Sequence, residues 1–230
     1  MEEPGLFGGI FSPIEHVMTT VLTALYSLTE MLGVPSYGLA IILLTILIKI
    51  LVYPLTKKQL QSMKAMQRIQ PQMQKIQAKY KNNPQVMQQK MMELYQQEGA
   101  NPMSGCLPML IQMPVLMGMY YTLYSFDYGG APPSFLWLPS LSETDPIYVL
   151  PLLSALTTYL TSRTMQSGNA NANQNPQMKV LTYLMPIFIG WISLNFPSGL
   201  VLYWVTMNVV QIVQQFWMNR TDNPSDKEAA

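Results

Sequence analysis

A single charge inside an apolar run constrains this chain more than any other feature. Residues 38–55 read GLAIILLTILIKILVYPL, and Lys49 is the one charged side chain among them. A helix of that length crosses most of the ~30 Å hydrocarbon core of a bilayer. Insertion scales put a Lys at the centre of such a helix at roughly 2.5–3.5 kcal/mol, so an intramembrane cation marks a candidate functional site. Snorkelling is the bland alternative: Lys57 lies eight positions on, about 12 Å by helical rise, and a Lys stem covers part of that distance.

Composition extends the membrane reading to the whole chain. Of 230 residues 49% are hydrophobic and 11% charged, against roughly 25% charged in soluble domains. Further apolar runs at 106–126, 147–162, 180–196 and 200–218 give five expected spans, the last two split at Phe196-Pro197-Ser198-Gly199, a turn signal. Apart from Lys49, every Lys and Arg falls within 57–90, within 163–179, or at Arg220 and Lys227, whereas Glu2, Glu3, Glu15, Glu30, Asp127, Glu143 and Asp145 occupy connections with no basic residue. The positive-inside rule then places the amino terminus outside and the carboxy terminus in the cytoplasm. The expected layout is an external amphipathic helix (1–36), a first span (37–56), a cytoplasmic helical hairpin (57–105), a second span (106–126) and an external loop (127–146). A third span (147–163), a cytoplasmic loop (164–178), a fourth span (179–196), an external turn (197–199), a fifth span (200–218) and a cytoplasmic tail (219–230) complete it. The fold class expected is all-α integral membrane protein. Met1-Glu2-Glu3-Pro4 offers no basic signal-peptide start, so either the acidic end is translocated unaided or the chain is a mature or trimmed form.

Enzyme chemistry is not expected. One Cys (Cys106) and one His (His16) make neither an internal disulfide nor a zinc site, and no nucleotide-binding or metalloprotease signature occurs. No metal or cofactor is called for.

Ser12-Pro13-Ile14-Glu15 reads as a capping box, and Gly33 with Pro35 as a stop. Between them Ile14, Val17, Val21, Leu25, Leu28 and Leu32 form a stripe that predicts a helix lying on the outer surface. The 57–97 block predicts an antiparallel hairpin turning at Asn82-Asn83-Pro84. One arm carries Leu60, Met63, Met66, Ile69, Met73, Ile76 and Tyr80; the return arm carries Val86, Met87, Met91, Leu94 and Tyr95. Its eight basic residues, among them Lys64, Arg68, Lys75 and Lys79, outnumber Glu93 and Glu98. Such a face suits lipid headgroups, RNA or an acidic partner, with a solvated charged surface as the plainer reading. The chain holds 19 Met, which suit either a surface accepting varied apolar partners or simple gap filling.

Polar residues recur at helical spacing within the spans. Thr45, Lys49 and Tyr53 share one face of the first span; Ser154, Thr158 and Thr161 share one of the third; Trp204, Asn208, Gln211 and Gln215 share one of the fifth. Gln112, Ser193 and Asn195 add polar groups. Lipid offers such groups no partner, so they are expected to meet in a hydrated groove centred on Lys49 and open inward, although a single Ser or Thr serves equally as interhelical glue. The third and fourth spans, about 24–26 Å if helical, would favour a thinned bilayer.

At this point the chain resembles the YidC/Oxa1/Alb3 family of membrane protein insertases. The resemblance rests on 37-YGLAII-42 ahead of the intramembrane cation, Met66-Gln67 and Ile69-Gln70-Pro71, Asn101-Pro102, and 105-GCLP-108 with Gln112 and Pro114. It continues through 137-WLPSL-141, Asp145-Pro146, Met185-Pro186, 196-FPSGL-200, 202-LYW-204 and Asn208, covering about 37–215 in order. It implies an insertase with five core spans, a cytoplasmic hairpin that includes Pro71, and a hydrophilic groove open to cytoplasm and lipid but closed outside. It makes Lys49 the cationic attractor, with Thr161 and Trp204 lining the groove. Most relatives carry an arginine at this position, and Lys lacks the planar fork of Arg. No large outer domain precedes the first span and no long basic tail follows the last, so the compact bacterial form is expected, in the plasma membrane. The implied partners are nascent membrane proteins and lipids, with a ribosome and a Sec-type translocon as further candidates, and no DNA. A small transporter or channel with Lys49 as an anion site, and a passive assembly scaffold, are the competing classes; no two-fold repeat in the hydrophobic pattern supports the transporter.

Overall fold

The structure, a computed structural model, describes residues 6–99, 107–125, 133–166 and 180–221. Regular structure among them is helical, with one isolated antiparallel bridge between Phe135 and Leu138. The elements are α1 (Leu6–Met31), α2 (Tyr37–Lys79), α3 (Pro84–Gln97), α4 (Leu107–Ser125), α5 (Val149–Gln166), α6 (Met185–Ser193) and α7 (Ser198–Thr221). A π-helical turn, Val180–Leu184, leads into α6, where Pro186 lacks the N–H that a regular first turn could spare.

Ser36 starts α2 from an extended backbone, its hydroxyl accepting from Leu39 N at 3.3 Å. The helix then runs 43 residues without interruption, through Pro54 and Pro71. The first expected span and the first hairpin arm are therefore one rod. The stretch Tyr37–Met66 is long and apolar enough to cross a membrane, while Thr182–Ser193 is apolar but shorter. At the far end Tyr80 N bonds Ile76 O at 2.9 Å, and Asn83 caps α3 by accepting from Val86 N, with Pro84 at its first turn. Ile69 and Leu94 are buried between the two arms, with Met66, Met73, Ile76 and Tyr95 packed around them. Met87 and Met91 are partly buried, as is Lys64; Arg68, Pro71, Lys75 and Lys79 are exposed.

In the bundle α7 packs against α2 and α5, α5 against α6, and α1 against α2 and α4. Leu22, Ile41, Met119, Leu123, Leu138, Leu141 and Tyr203 form its fully buried centre. Here α1 departs from expectation. Its helix begins ahead of the Ser12-Pro13 cap, with Pro13 inside it, and its packed face is Ile14, Met18, Val21, Leu22 and Leu25. Val17 and Leu32 are 62% and 72% exposed. Ile14 and Met18 meet α4 where Gly118 has no side chain: a Cβ there would stand 2.7 Å from Ile14 and 3.0 Å from the Met18 sulfur.

The connection between α4 and α5 folds over one end of the bundle. Phe135 and Leu138 exchange backbone hydrogen bonds of 3.0 and 2.8 Å. Leu138 and Leu141 enter the core. The Asp145 carboxylate, 3% exposed, accepts from Trp137 Nε1 (3.3 Å), Ile147 N (3.1 Å) and Leu150 N (2.7 Å), and so caps α5. Ser198 N and Gly199 N at the start of α7 donate to Glu143 O (2.7 Å) and Leu141 O (2.9 Å), and the Ser198 hydroxyl bonds Ser140 O and Glu143 O. Orphan donors at two helix starts are thus satisfied by one loop.

Candidate functional site

The helices α2, α4, α5 and α7 enclose a cavity of about 290 Å³. From α2 come Thr45, Lys49, Val52, Thr56 and Gln59, spaced by four and three so that all face one way. From α7 come Tyr203, Trp204, Met207, Asn208 and Gln211; α4 adds Gln112 and Met113, and α5 adds Thr161 and Met165. Lys49 is partly buried, and its Nζ donates to Gln211 Oε1 at 2.7 Å. That bond ties the cation of α2 to α7, and Gln214 Nε2 adds a long contact of 3.5 Å to Lys49 O.

Seven of the nine residues expected in the groove line this cavity: Thr45, Lys49, Gln112, Thr161, Trp204, Asn208 and Gln211. The other two stand behind its wall. Thr158 accepts from Trp204 Nε1 (3.2 Å) and Asn208 Nδ2 (3.0 Å), so it fixes two lining side chains from the α5 side. Ser154 is fully buried, 2.8 Å from Pro151 O and 3.0 Å from the Ser193 hydroxyl, and joins α5 to α6. Thr45 and Thr161 return their hydroxyls to Ile41 O and Thr157 O in their own helices. That leaves Lys49 and the amides as the groups that project.

Sequence reading missed four members. Tyr203 is 1% exposed, and its hydroxyl accepts from Gln112 Nε2 at 2.6 Å. Thr157 accepts from Asn208 Nδ2 at 3.2 Å. Thr56, the last residue of the expected span, and Gln59, beyond it, continue the Thr45–Lys49 face. Their signal was present as the same four-three spacing; assigning 57–105 to a separate hairpin cut off Gln59.

Tyr203 of the lining belongs to the same core cluster as Ile41, Leu44, Leu138 and Leu141, with Phe135 packed against it. The lining runs down α2 to Leu60 and Met63, at the root of the hairpin. It holds, among the described residues, one cation and no carboxylate, Cys or His. Among the described residues no group of three or more His, Cys, Asp or Glu could hold a metal ion. Such a site attracts negative or polar groups and carries no nucleophile with a base beside it.

Residues 27–226 match the family model described as 60Kd inner membrane protein. The chain is 45% identical over 201 residues to the membrane protein insertase MisCA of Bacillus subtilis, covering 84% of this chain and 76% of that one. The chain belongs to the YidC family of membrane protein insertases. The YidC insertase of Clostridium perfringens is 42% identical over 220 residues, 91% of each chain. A crystal structure of an active YidC insertase with its first transmembrane domain resolved superposes with a TM-score of 0.65 at 28% identity, over 86% of this chain and 45% of that one. The all-helical fold agrees with that likeness. YidC-type insertases are not enzymes in the catalytic sense.

Proposed function

We propose that the chain inserts nascent membrane proteins into a bacterial plasma membrane through the Lys49 cavity, without nucleotide hydrolysis. The observation that carries this reading is the placement of Lys49: on the helix apolar enough to cross a membrane, yet lining an interhelical cavity with Gln112, Asn208 and Gln211 and held by Gln211 at 2.7 Å. In this reading five helical spans cross the bilayer, the loop 133–148 lies outside, and the hairpin and carboxy terminus lie in the cytoplasm, as the segregated charges favour. The α1 helix sits at the outer surface.

A short acidic or polar outer segment of the substrate enters from the hairpin side. Low dielectric strengthens its attraction to Lys49, while the amides of Gln112, Asn208 and Gln211 supply hydrogen bonds that replace water and Trp204 offers an apolar wall. The attached apolar span leaves sideways along α5 and α7, whose outer faces carry exposed Leu156, Leu160, Val209 and Val213. Its partitioning into lipid supplies the driving force, which suits a sequence with no nucleotide-binding signature. The basic hairpin, with Lys64, Arg68, Lys75 and Lys79 around Met66, Met73, Met87 and Met91, receives lipid headgroups and the emerging chain; a ribosome and a Sec-type translocon are the assemblies beside which it would act.

The test is insertion of a single-span substrate with an acidic outer tail, in cells depleted of their own insertase and supplied with wild type, Lys49→Arg, Lys49→Ala or Lys49→Glu. Arg is expected to support insertion, and Ala and Glu to fail at equal expression. Wild-type insertion by Lys49→Ala would remove the cation from the mechanism and favour a passive scaffold.

A further inference from the structure

Among the described residues two that are not glycine hold a left-handed backbone: Leu136 at φ 53° and Tyr148 at φ 59°. That region suits Gly, Asn or Asp, and a bulky side chain held in it costs conformational free energy. Packing into the core does not offset the cost here, because Leu136 is 77% and Tyr148 62% exposed and neither belongs to the core cluster. Glycine at either position would relax the backbone and empty no packed volume. What the two side chains gain lies outside the chain.

One buried carboxylate oxygen brings the two strained sites together. Asp145 Oδ1 accepts from Trp137 Nε1 at 3.3 Å and from Ile147 N at 3.1 Å, and these are the immediate neighbours of Leu136 and Tyr148. Trp137 and Ile147 are exposed as well, so four large apolar side chains stand around a single clamp. The patch is continuous with the outer side of α5. Tyr148 heads a series with Leu152, Leu156 and Leu160, spaced by four and all exposed.

The chemistry of the patch names what covers it. No Lys or Arg occurs anywhere in 133–162, so an acidic partner or an anionic headgroup finds no counter-charge. Leu and Ile offer apolar area, and Trp and Tyr rings collect at the depth where acyl chains meet headgroups, being apolar bodies with one polar edge. We propose that the loop between α4 and α5 is a membrane anchor: Leu136, Trp137, Ile147 and Tyr148 insert into the outer-leaflet interface and fix the depth of α5. The proposal rests on the reading of α5 as a span and goes beyond it. Asp145 braces the wedge, and burial in lipid offsets the backbone strain. With no cation involved, anchoring needs no anionic lipid and is insensitive to salt.

The test uses the full chain with its one cysteine removed (Cys106→Ser) and a nitroxide on Leu136→Cys, Tyr148→Cys or Leu156→Cys, in vesicles of phosphatidylcholine alone. Oxygen concentrates among acyl chains and a nickel chelate in water, so the ratio of their relaxation effects reads depth. Labels at 136 and 148 are expected to favour oxygen, at a shallower depth than the label at 156, and to be unchanged in high salt. Leu136→Asn with Tyr148→Asn suits the left-handed backbone and removes the apolar area. This pair is expected to hold the melting temperature in detergent while shifting a label on Leu152→Cys toward water. A label at 136 or 148 that favours the chelate would overturn the anchor. So would one shielded from both reagents, which would put a second copy of the chain over the patch, or a Leu152→Cys label that the Asn pair leaves unmoved. A label at 156 lying in water would instead sink the span reading of α5, and the anchor with it.

Discussion

At Gly38 a hydrogen in place of a methyl decides whether the Phe135 loop can seat. A Cβ there would stand 2.2–2.7 Å from three carbons of the Phe135 ring, far inside contact distance. Gly38→Ala is expected to destabilise by about 1–3 kcal/mol through overpacking. Phe135→Ala should relieve part of that loss, which a double-mutant cycle in thermal unfolding measures as a coupling between the two sites. Additive losses would mean the ring moves aside freely. Much of the polar site was legible at this scale, because helical spacing alone put Thr45 with Lys49 and Trp204 with Asn208 and Gln211. Gly38 and Phe135 were not legible as a pair: they are far apart in sequence, and nothing local marks a glycine as the floor beneath a distant ring. Tyr203 was hidden for a related reason, its role resting on Gln112 in another helix.

Among the elements, the loop between α4 and α5 does the work of two caps. Asp145→Ala removes the acceptor of Trp137 Nε1, Ile147 N and Leu150 N together. A loss of about 1–2 kcal/mol, in the range of a helix cap, is expected from thermal melts, with Asp145→Asn milder. The α5–α6 contact depends on smallness: a Cβ on Gly190 would lie 2.8 Å from Ala155 Cβ and 3.4 Å from Pro151 O. Gly190→Leu should push α6 away from α5 and lower the melting temperature, whereas a leucine placed at the exposed Ile187 should change nothing. Sequence signals located these elements but misjudged their ends. The Ser12-Pro13 cap was a sound local pattern overridden by helix already formed upstream, and the boundary after residue 56 was a composition change that the backbone ignores.

In the whole molecule Phe135, Leu138 and Leu141 belong to the bundle core; the cavity lining runs along the same unbroken helix that carries the hairpin, as far as Met63. Among the described residues the hairpin's own core is Ile69 and Leu94 with their neighbours, separate from the bundle core. Leu94→Ala is therefore expected to loosen α3 alone. Limited proteolysis should cut within 80–97 more readily, while the bundle keeps its melting temperature; a fall in that temperature would show that the two cores are coupled. The most direct measurement is site-specific photo-crosslinking of a stalled single-span substrate, with probes at Gln112, Thr161 and Trp204 inside the cavity and at Ile187 and Trp191 on the outer face of α6. Crosslinks from the substrate's acidic outer tail to the cavity probes are expected. Crosslinks confined to Ile187 and Trp191 would contradict passage through the Lys49 cavity.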